Sequence, residues 1–120
     1  MEKKTLVIGA STNSNRYSNI AIHKLLGNGF EVRAIGKKRG EVAGVKIDDL
    51  KVMFEEIHTI TLYLNAKNQD EYYNYMLKLR PERVIFNPGT ENEELEILLK
   101  ENNIYFEKSC TLVLLSIGEY

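Results

Sequence analysis

Five short runs of β-forming, mostly apolar residues alternate with stretches of helical periodicity along the chain. Each run ends at glycine, proline or polar turn residues, which is typical of buried strands. The predicted strands cover residues 5–9, 30–35, 59–64, 82–86 and 104–107. Strands that alternate with helices are joined by right-handed crossovers, so this order predicts one parallel sheet.

The helical stretches lie between these strands. Residues 17–27 are predicted to form a helix that Asn28-Gly29 ends. Further helices are expected over residues 48–56, over 68–79, and over 90–102, where Thr90 and Glu93 match a capping box. We therefore predict a single domain over residues 1–120, an α/β fold with a doubly wound, Rossmann-like, five-stranded parallel sheet and helices on both faces.

Composition excludes several classes of protein. A formal net charge of −1 on 120 residues gives no general attraction for nucleic acid or for a membrane surface. The single cysteine, Cys110, excludes an intramolecular disulfide, and no spacing of histidines or cysteines indicates a metal site. The N-terminal residues lack the apolar stretch of a signal peptide, and no apolar run is long enough to span a membrane, so the expected location is the cytoplasm.

Ligands of such folds bind beyond the carboxyl ends of the strands, and the loop after the first strand is unusually long. Gly9 and Ala10 are small enough for backbone to approach a phosphate, and the helix that follows directs its N-terminus to the same place. The loop also offers polar groups that hydrogen-bond a phosphate, namely Ser11, Asn13, Arg16 and Ser18. The alternative is an ordinary polar loop whose side chains cap the helix.

The segment after the second strand narrows the choice of ligand. A standard dinucleotide site has three glycines in its first loop and an acidic residue after the second strand. Here Gly9 stands alone, and Gly36-Lys37-Lys38-Arg39 takes the place of the acid. These cations favour an adenosine with an extra ribose phosphate, as in coenzyme A or NADP, over plain NAD. A solvated basic turn is the alternative.

A third candidate loop follows the fourth strand, where Pro88 and Gly89 precede a helix. Together, these residues resemble the small stand-alone coenzyme-A-binding proteins, whose fold is similar to the nucleotide domain of the succinyl-CoA synthetase α subunit. The resemblance covers nearly the whole chain and rests on an ordered set of segments: 7–11, 15–18, 40–44, 87–90 with Glu93 and Glu94, and Ser109-Cys110. Tyr17 and Gly36-Lys37 depart from residues common in that family.

The resemblance implies that the first loop, with Asn13, Arg16 and Ser18, grips the pyrophosphate of coenzyme A. It places the segment after the second strand near the adenosine, and Asn65, Pro88 and Gly89 along the rest of the cleft. No catalytic residue is predicted: His23 and His58 are not at strand carboxyl ends, and an inert role is preferred for Cys110.

Three hypotheses of function follow. The first is non-enzymatic binding of coenzyme A or an acyl-CoA by a sensor, carrier or accessory module. The second is an NADP-binding oxidoreductase-like or regulatory domain, and the third is a protein-interaction module with a vestigial nucleotide cleft. The apolar C-terminal segment, residues 112–115, either covers a partner in a homodimer or closes the core of its own domain.

Overall fold

The computed structural model describes residues 3–120, which form one mixed, Rossmann-like α/β sheet with helices. The strands are Thr5–Ile8 (β1), Val32–Ile35 (β2), Gly40–Val42 (β3), Val45–Asp48 (β4), Thr59–Leu62 (β5), Arg83–Phe86 (β6) and Tyr105–Lys108 (β7). The helices are Tyr17–Gly27 (α1), Ala66–Gln69 (α2), Tyr73–Leu79 (α3), Glu93–Glu101 (α4) and Thr111–Ser116 (α5), with a 3₁₀ turn at Asp70–Tyr72.

The sheet has the order β3-β4-β2-β1-β5-β6-β7, and only β3 runs antiparallel to its neighbour. Side chains alternate along each strand, so successive residues enter two different cores. On β1, Leu6 and Ile8 pack in a cluster with residues of α3 and α4. Val7 packs on the opposite face with Ile22 of α1 and Leu115 of α5. Helices therefore cover both faces of the sheet.

The predicted five-stranded parallel sheet is wrong in strand number. All five predicted strands form, but β3 and β4 add a hairpin beyond β2. The hairpin follows the basic turn and ends at Asp48, and the helix predicted over residues 48–56 does not form. Asp48 instead ends β4, where it is paired with Ile35 of β2. The chain after Asp48 forms turns with bonds from Val52 N to Leu50 O and from Phe54 N to Val52 O.

The predicted capping box is also wrong. Helix α4 begins at Glu93, and the side chain of Asn92 caps it by accepting from Leu95 N at 3.2 Å. Thr90 has another partner, because its hydroxyl donates to Asn87 O at 2.7 Å. Within residues 3–120, no helix is long and apolar enough to cross a membrane.

Strand order reverses beside β1, because β2 lies on one side of it and β5 on the other. Ile8, the last residue of β1, is level with Ile35 of β2 and with Leu62 of β5. The loops after β1 and β5 leave the sheet toward helices that pack on opposite faces. Such a divergence opens a crevice at the carboxyl edge of the sheet.

Candidate functional site

The crevice consists of two adjoining compartments above the carboxyl ends of the strands. The lysine compartment has a volume of about 400 Å³ and includes Lys37 and Lys38. The proline compartment has a volume of about 220 Å³ and includes Tyr17, Ser18 and Pro88. Both compartments share six residues, which are Gly9, Ser11, Arg16, Tyr63, Leu64 and Asn65.

Gly9 forms the floor of both compartments at a place where two backbone segments meet. Its φ is +96°, and a Cβ atom there would lie 2.8 Å from the carbonyl carbon and oxygen of Tyr63. The amides of Gly9 and Ala10 both donate to Ile35 O at 2.9 Å. Glycine is therefore required both by the backbone conformation and by the contact.

The polar side chains of the β1–α1 loop bond within the loop. Ser11 Oγ accepts from Asn13 N at 3.0 Å, and Asn13 Oδ1 accepts from Asn15 N at 2.9 Å. Asn19 Nδ2 donates to Ser11 O at 2.9 Å, which ties the loop to α1. The interpretation that these side chains merely cap the helix is thus not supported.

Helix α1 lacks a side-chain cap in the described part of the chain, as α3 and α5 do, whereas α2 and α4 have one each. Its Ncap residue is Arg16, whose side chain cannot accept a hydrogen bond. The N-terminus of a helix carries unpaired N–H groups and a partial positive charge. Since residues 16–18 line the proline compartment, those donors are available to an anion in the crevice.

The charged side chains that line the crevice are all cations. Arg16, Lys37 and Lys38 are exposed, and none of them forms an ion pair within residues 3–120. No Asp or Glu lines either compartment in the same part of the chain. The crevice therefore suits a ligand with several negative charges.

The wall after β5 consists of Tyr63, Leu64 and Asn65. Burial raises the pKa of Tyr63 to about 12, although the hydroxyls of Thr61 and Thr111 act in the opposite direction. Those two threonines bond to each other at 2.8 Å, and within residues 3–120 the Tyr63 hydroxyl has no partner of its own. Tyr63 is therefore neutral at physiological pH. Asn65 Oδ1 caps α2 by accepting from Asn68 N at 3.0 Å.

The wall after β6 is held by the buried side chain of Asn87. Its Nδ2 donates to Thr61 Oγ1 at 2.7 Å and to Leu62 O at 2.9 Å, and its Oδ1 accepts from Thr111 N at 2.8 Å. Asn87 thus joins β5, β6 and α5 just below the crevice. Gly89 follows on the crevice side, where its N–H donates to Glu91 Oε1 at 3.0 Å.

The structure brings together ten of the twelve residues that the sequence nominates for binding. They are Gly9, Ala10, Ser11, Arg16, Ser18, Lys37, Lys38, Asn65, Pro88 and Gly89. Asn13 and Gly36 line neither compartment. Asn13 acts within its loop, and Gly36 is buried where a Cβ atom would clash with Ala10 O. Whether any of the twelve binds a ligand stays a prediction.

Sequence reasoning missed Thr12, Tyr17, Tyr63, Leu64, Asn68 and Thr90 as lining residues. Tyr63 and Leu64 directly follow β5, so the rule that placed Asn65 at the carboxyl edge could have included them. Tyr17 could have been found in another way, because it replaces a residue that is common at this position in the similar family. Thr12 and Thr90 flank nominated residues, and Asn68 lies three residues after Asn65 without a distinctive signal of its own.

Residues with catalytic potential lie elsewhere or alone. His58 precedes β5, at the opposite end of the sheet from the crevice, and burial lowers its pKa. His23 is exposed on α1. Within residues 3–120 no cluster of three or more His, Cys, Asp or Glu side chains could hold a metal ion.

Two other cavities, each larger than either compartment of the crevice, lie away from the carboxyl edge. One of about 480 Å³ lies beside the hairpin and is lined by Leu26, Val45 and Phe54 among others. One of about 580 Å³ lies at the amino ends of the strands and mixes acidic residues with Lys4 and Arg80. Neither has the all-cationic wall of the crevice, so the crevice is the better candidate for an anionic ligand.

Comparison with known proteins shows which family the chain is similar to. A family model described as "CoA binding domain" matches residues 3–116. A crystal structure of an uncharacterized protein is 49% identical, with a TM-score of 0.97, and the match covers 100% of this chain and 99% of that one. A hypothetical protein from Pyrococcus horikoshii OT3 is 27% identical, with a TM-score of 0.84, over 92% of this chain and 79% of that one.

A more distant similarity is to a dinucleotide-forming acetyl-coenzyme A synthetase 1 from Ca. Korarchaeum cryptofilum, solved with phosphate and ADP. It is 16% identical, with a TM-score of 0.72, and the match covers 89% of this chain but 25% of that one. This similarity concerns the fold alone. No curated protein matches the chain significantly.

Proposed function

Because the chain belongs to the family of CoA binding domains, we propose that residues 1–120 act as one domain that binds coenzyme A or an acyl-CoA without reacting with it. The observation that carries this proposal is the crevice with three unpaired cations, an uncapped helix N-terminus and no lining acid in the described chain. Coenzyme A has a diphosphate and a separate ribose phosphate, so it needs cationic donors at two places.

The residues fit the two anionic parts of coenzyme A. In this proposal the Ser11 N–H, the N-terminus of α1 and Arg16 hold the diphosphate, with Ser18 close by. Gly9 and Ala10 donate their amides to Ile35 O and contribute by letting the ligand approach the backbone closely. Lys37 and Lys38 hold the ribose phosphate in the lysine compartment. The uncharged arm of the ligand passes along Asn65, Pro88 and Gly89.

The proposed role is that of a sensor, carrier or accessory module. Tyr63, with its pKa raised to about 12, is a poor proton donor or acceptor at neutral pH, and no histidine lines the crevice in the described residues. The NADP alternative has no support from the comparisons. A vestigial cleft is harder to reconcile with cations that have no acidic partner.

Calorimetric titration with coenzyme A, dephospho-coenzyme A and NADP tests this proposal. Coenzyme A should bind more tightly than dephospho-coenzyme A by about tenfold, because a charge-assisted contact contributes roughly 1.4 kcal/mol or more. A Lys37→Ala/Lys38→Ala variant should lose most of that difference, whereas Lys24→Ala on the last turn of α1 should keep it. Binding of NADP in preference to coenzyme A, or of no ligand at all, would refute the proposal.

A homodimer is a further part of the proposal, with two exposed residues as its contact: Val113 of α5 and Ile117, which directly follows this helix. Light scattering should then give about twice the chain mass of 13.8 kDa. A Val113→Glu/Ile117→Glu variant should return the mass to that of one chain. A wild-type mass of one chain would remove this part and leave the ligand proposal unaffected. The cytoplasmic location stays a prediction.

A further inference from the structure

We propose that Gln69 is a positioning residue that fixes the separation of the two crevice walls after β5 and β6. The proposal rests on the proposed function, since it concerns how the same crevice accepts a long ligand. Gln69 is fully buried at the C-terminal end of α2 and lines neither compartment. It therefore acts on the site through the backbone of other residues.

The amide group of Gln69 joins the two walls directly. Its Nε2 donates to Leu64 O at 2.8 Å and to Thr90 O at 2.7 Å. Leu64 and Thr90 both line the proline compartment, on opposite loops. One planar amide thus holds two carbonyl groups, and their spacing follows from the geometry of its two N–H bonds.

The third bond of Gln69 fixes the orientation of this amide. Its Oε1 accepts from Asn92 Nδ2 at 2.9 Å, and the same nitrogen donates to the Tyr73 hydroxyl at 2.8 Å. Asn92 is itself the cap of α4. A flip of the Gln69 amide would place its oxygen against the carbonyl oxygens of Leu64 and Thr90, and its nitrogen against the nitrogen of Asn92. The buried network therefore specifies one arrangement.

The walls need this bond because the strand ladder ends below them. β5 and β6 are paired up to Leu62 and Phe86, and beyond this pair their chains separate toward α2 and α4. Asn87 joins the two chains at the level of Leu62, and Gln69 joins them again at the level of Leu64 and Thr90. Gln69 is thus the upper of two buried amides that replace ladder bonds.

A distinction between ligands follows. A ligand that extends over both walls needs their correct separation, whereas one confined to the β1–α1 loop and the lysine compartment does not. Coenzyme A is of the first kind, and adenosine 3′,5′-bisphosphate, which lacks the pantetheine arm, is of the second. Loss of Gln69 donors should therefore change the ratio of the two dissociation constants.

The test uses Gln69→Met, which keeps the length of the side chain without its hydrogen bonds, and Gln69→Glu, which keeps the acceptor for Asn92. Tyr75→Phe is the matched control, because it removes a buried hydroxyl bonded to Val52 O, away from the crevice. Circular dichroism establishes that each variant is folded. Titration should show coenzyme A weakened about tenfold in Gln69→Met, and the bisphosphate by less than about twofold.

Equal weakening of both ligands, or unchanged binding of coenzyme A, would overturn the role of Gln69. If the wild-type protein binds neither ligand, the proposed function fails, and hydrogen exchange of the ligand-free protein then decides on Gln69 alone. The amides of Thr90 and Asn68, which are bonded within the two loops, should exchange at least about tenfold faster in Gln69→Met. Equal exchange rates in Gln69→Met and in the wild type would refute the role of Gln69. If Gln69→Met does not fold, the exchange rates of the same amides are compared between Gln69→Glu and the wild type, with the same expected result.

Discussion

Gly9 shows how a single residue can limit both a fold and a site. Its positive φ and its contact with the Tyr63 carbonyl let the β1–α1 loop cross the end of β5 at close range. A larger residue would push apart the two segments that make the floor of the crevice. A larger residue at position 9 should therefore lower both the stability of the fold and the affinity for the ligand.

A Gly9→Ala substitution tests this. We expect the free energy of unfolding to fall by about 2–4 kcal/mol, since a strained backbone costs about 1–3 kcal/mol and the methyl clash adds to it. Urea unfolding followed by circular dichroism measures the loss. Gly29→Ala is the control, because its φ is +87° but no atom lies within 4 Å of an added Cβ. Equal losses at both positions would contradict the role of the close contact.

The second prediction for a single residue concerns His58. Burial lowers the pKa of His58 below the ordinary histidine value of 6.5, as do Arg83 and Lys3, while Glu82 acts in the opposite direction. The unfolded chain then binds a proton more readily than the native protein, so the contribution of neutral His58 is complete above about pH 6.5 and is lost as the pH falls through its lowered pKa.

Thermal unfolding between pH 7.5 and 5 should show this loss, which we expect to be below about 1 kcal/mol because the side chain is partly solvated. His58→Gln should flatten the dependence on pH, since glutamine does not titrate. The same substitution at exposed His23 is the control for the change in composition. A steeper decline in His58→Gln than in the wild type would reverse the proposed sign.

Among the elements, helix α5 bears on the two alternatives for the apolar segment of residues 112–115, which were a contact with a partner and closure of the domain's own core. Leu115 is buried against the core on the α1 face, and Leu114 packs on the same core. Val113 is 53% exposed and Ile117 61% exposed, so the helix also presents an apolar outer side. The segment therefore closes its own core, whether or not a partner covers its outside.

Leu115→Ala should accordingly lower the free energy of unfolding by about 2–4 kcal/mol, as expected for a large residue removed from a core. Val113→Ala in a dilute sample should change it by less than about 0.5 kcal/mol. Chemical denaturation of both variants makes the comparison. Similar losses would mean that the helix is not docked as described.

The elements also differ in how far the sequence could predict them. Four of the five predicted strands were predictable because they are largely buried runs, and β1, β5 and β6 are buried at every position. The fifth, β7, lies at the sheet edge without a buried residue and was predictable only from its β-forming residues. The hairpin was not predictable, because β3 and β4 each bury a single residue, Val42 and Ile47, among polar neighbours. Its strands exist by pairing with β2 and with each other, which local pattern does not reveal.

The same reasoning applies to the site. The loops were located correctly, since parallel strands place their carboxyl ends on one edge whatever the sequence. Asn13 and Gly36 were nominated by position, but their roles in loop geometry and in close packing depend on distances that only the folded chain has. Gln69 has no motif at all, because its importance lies in bonds to two backbone carbonyls far apart in sequence.

For the whole molecule, the two cores share the strands of a single sheet, so neither can melt without exposing the other face. We expect one cooperative unfolding transition for the chain, as for most small single domains. Far-ultraviolet circular dichroism and the signal of the seven tyrosines should give coincident curves. Two separated transitions would indicate that the two faces of the sheet unfold independently.

The uncapped start of helix α1 has a practical consequence for anyone who handles this protein. An anion from the buffer can fill the role that a serine or aspartate fills in other helices, and whatever binds only the native state raises its apparent stability. Phosphate or sulfate solutions should therefore give a higher melting temperature than chloride at equal ionic strength. The same anions would compete with the nucleotide, so affinities measured in phosphate buffer would be underestimated.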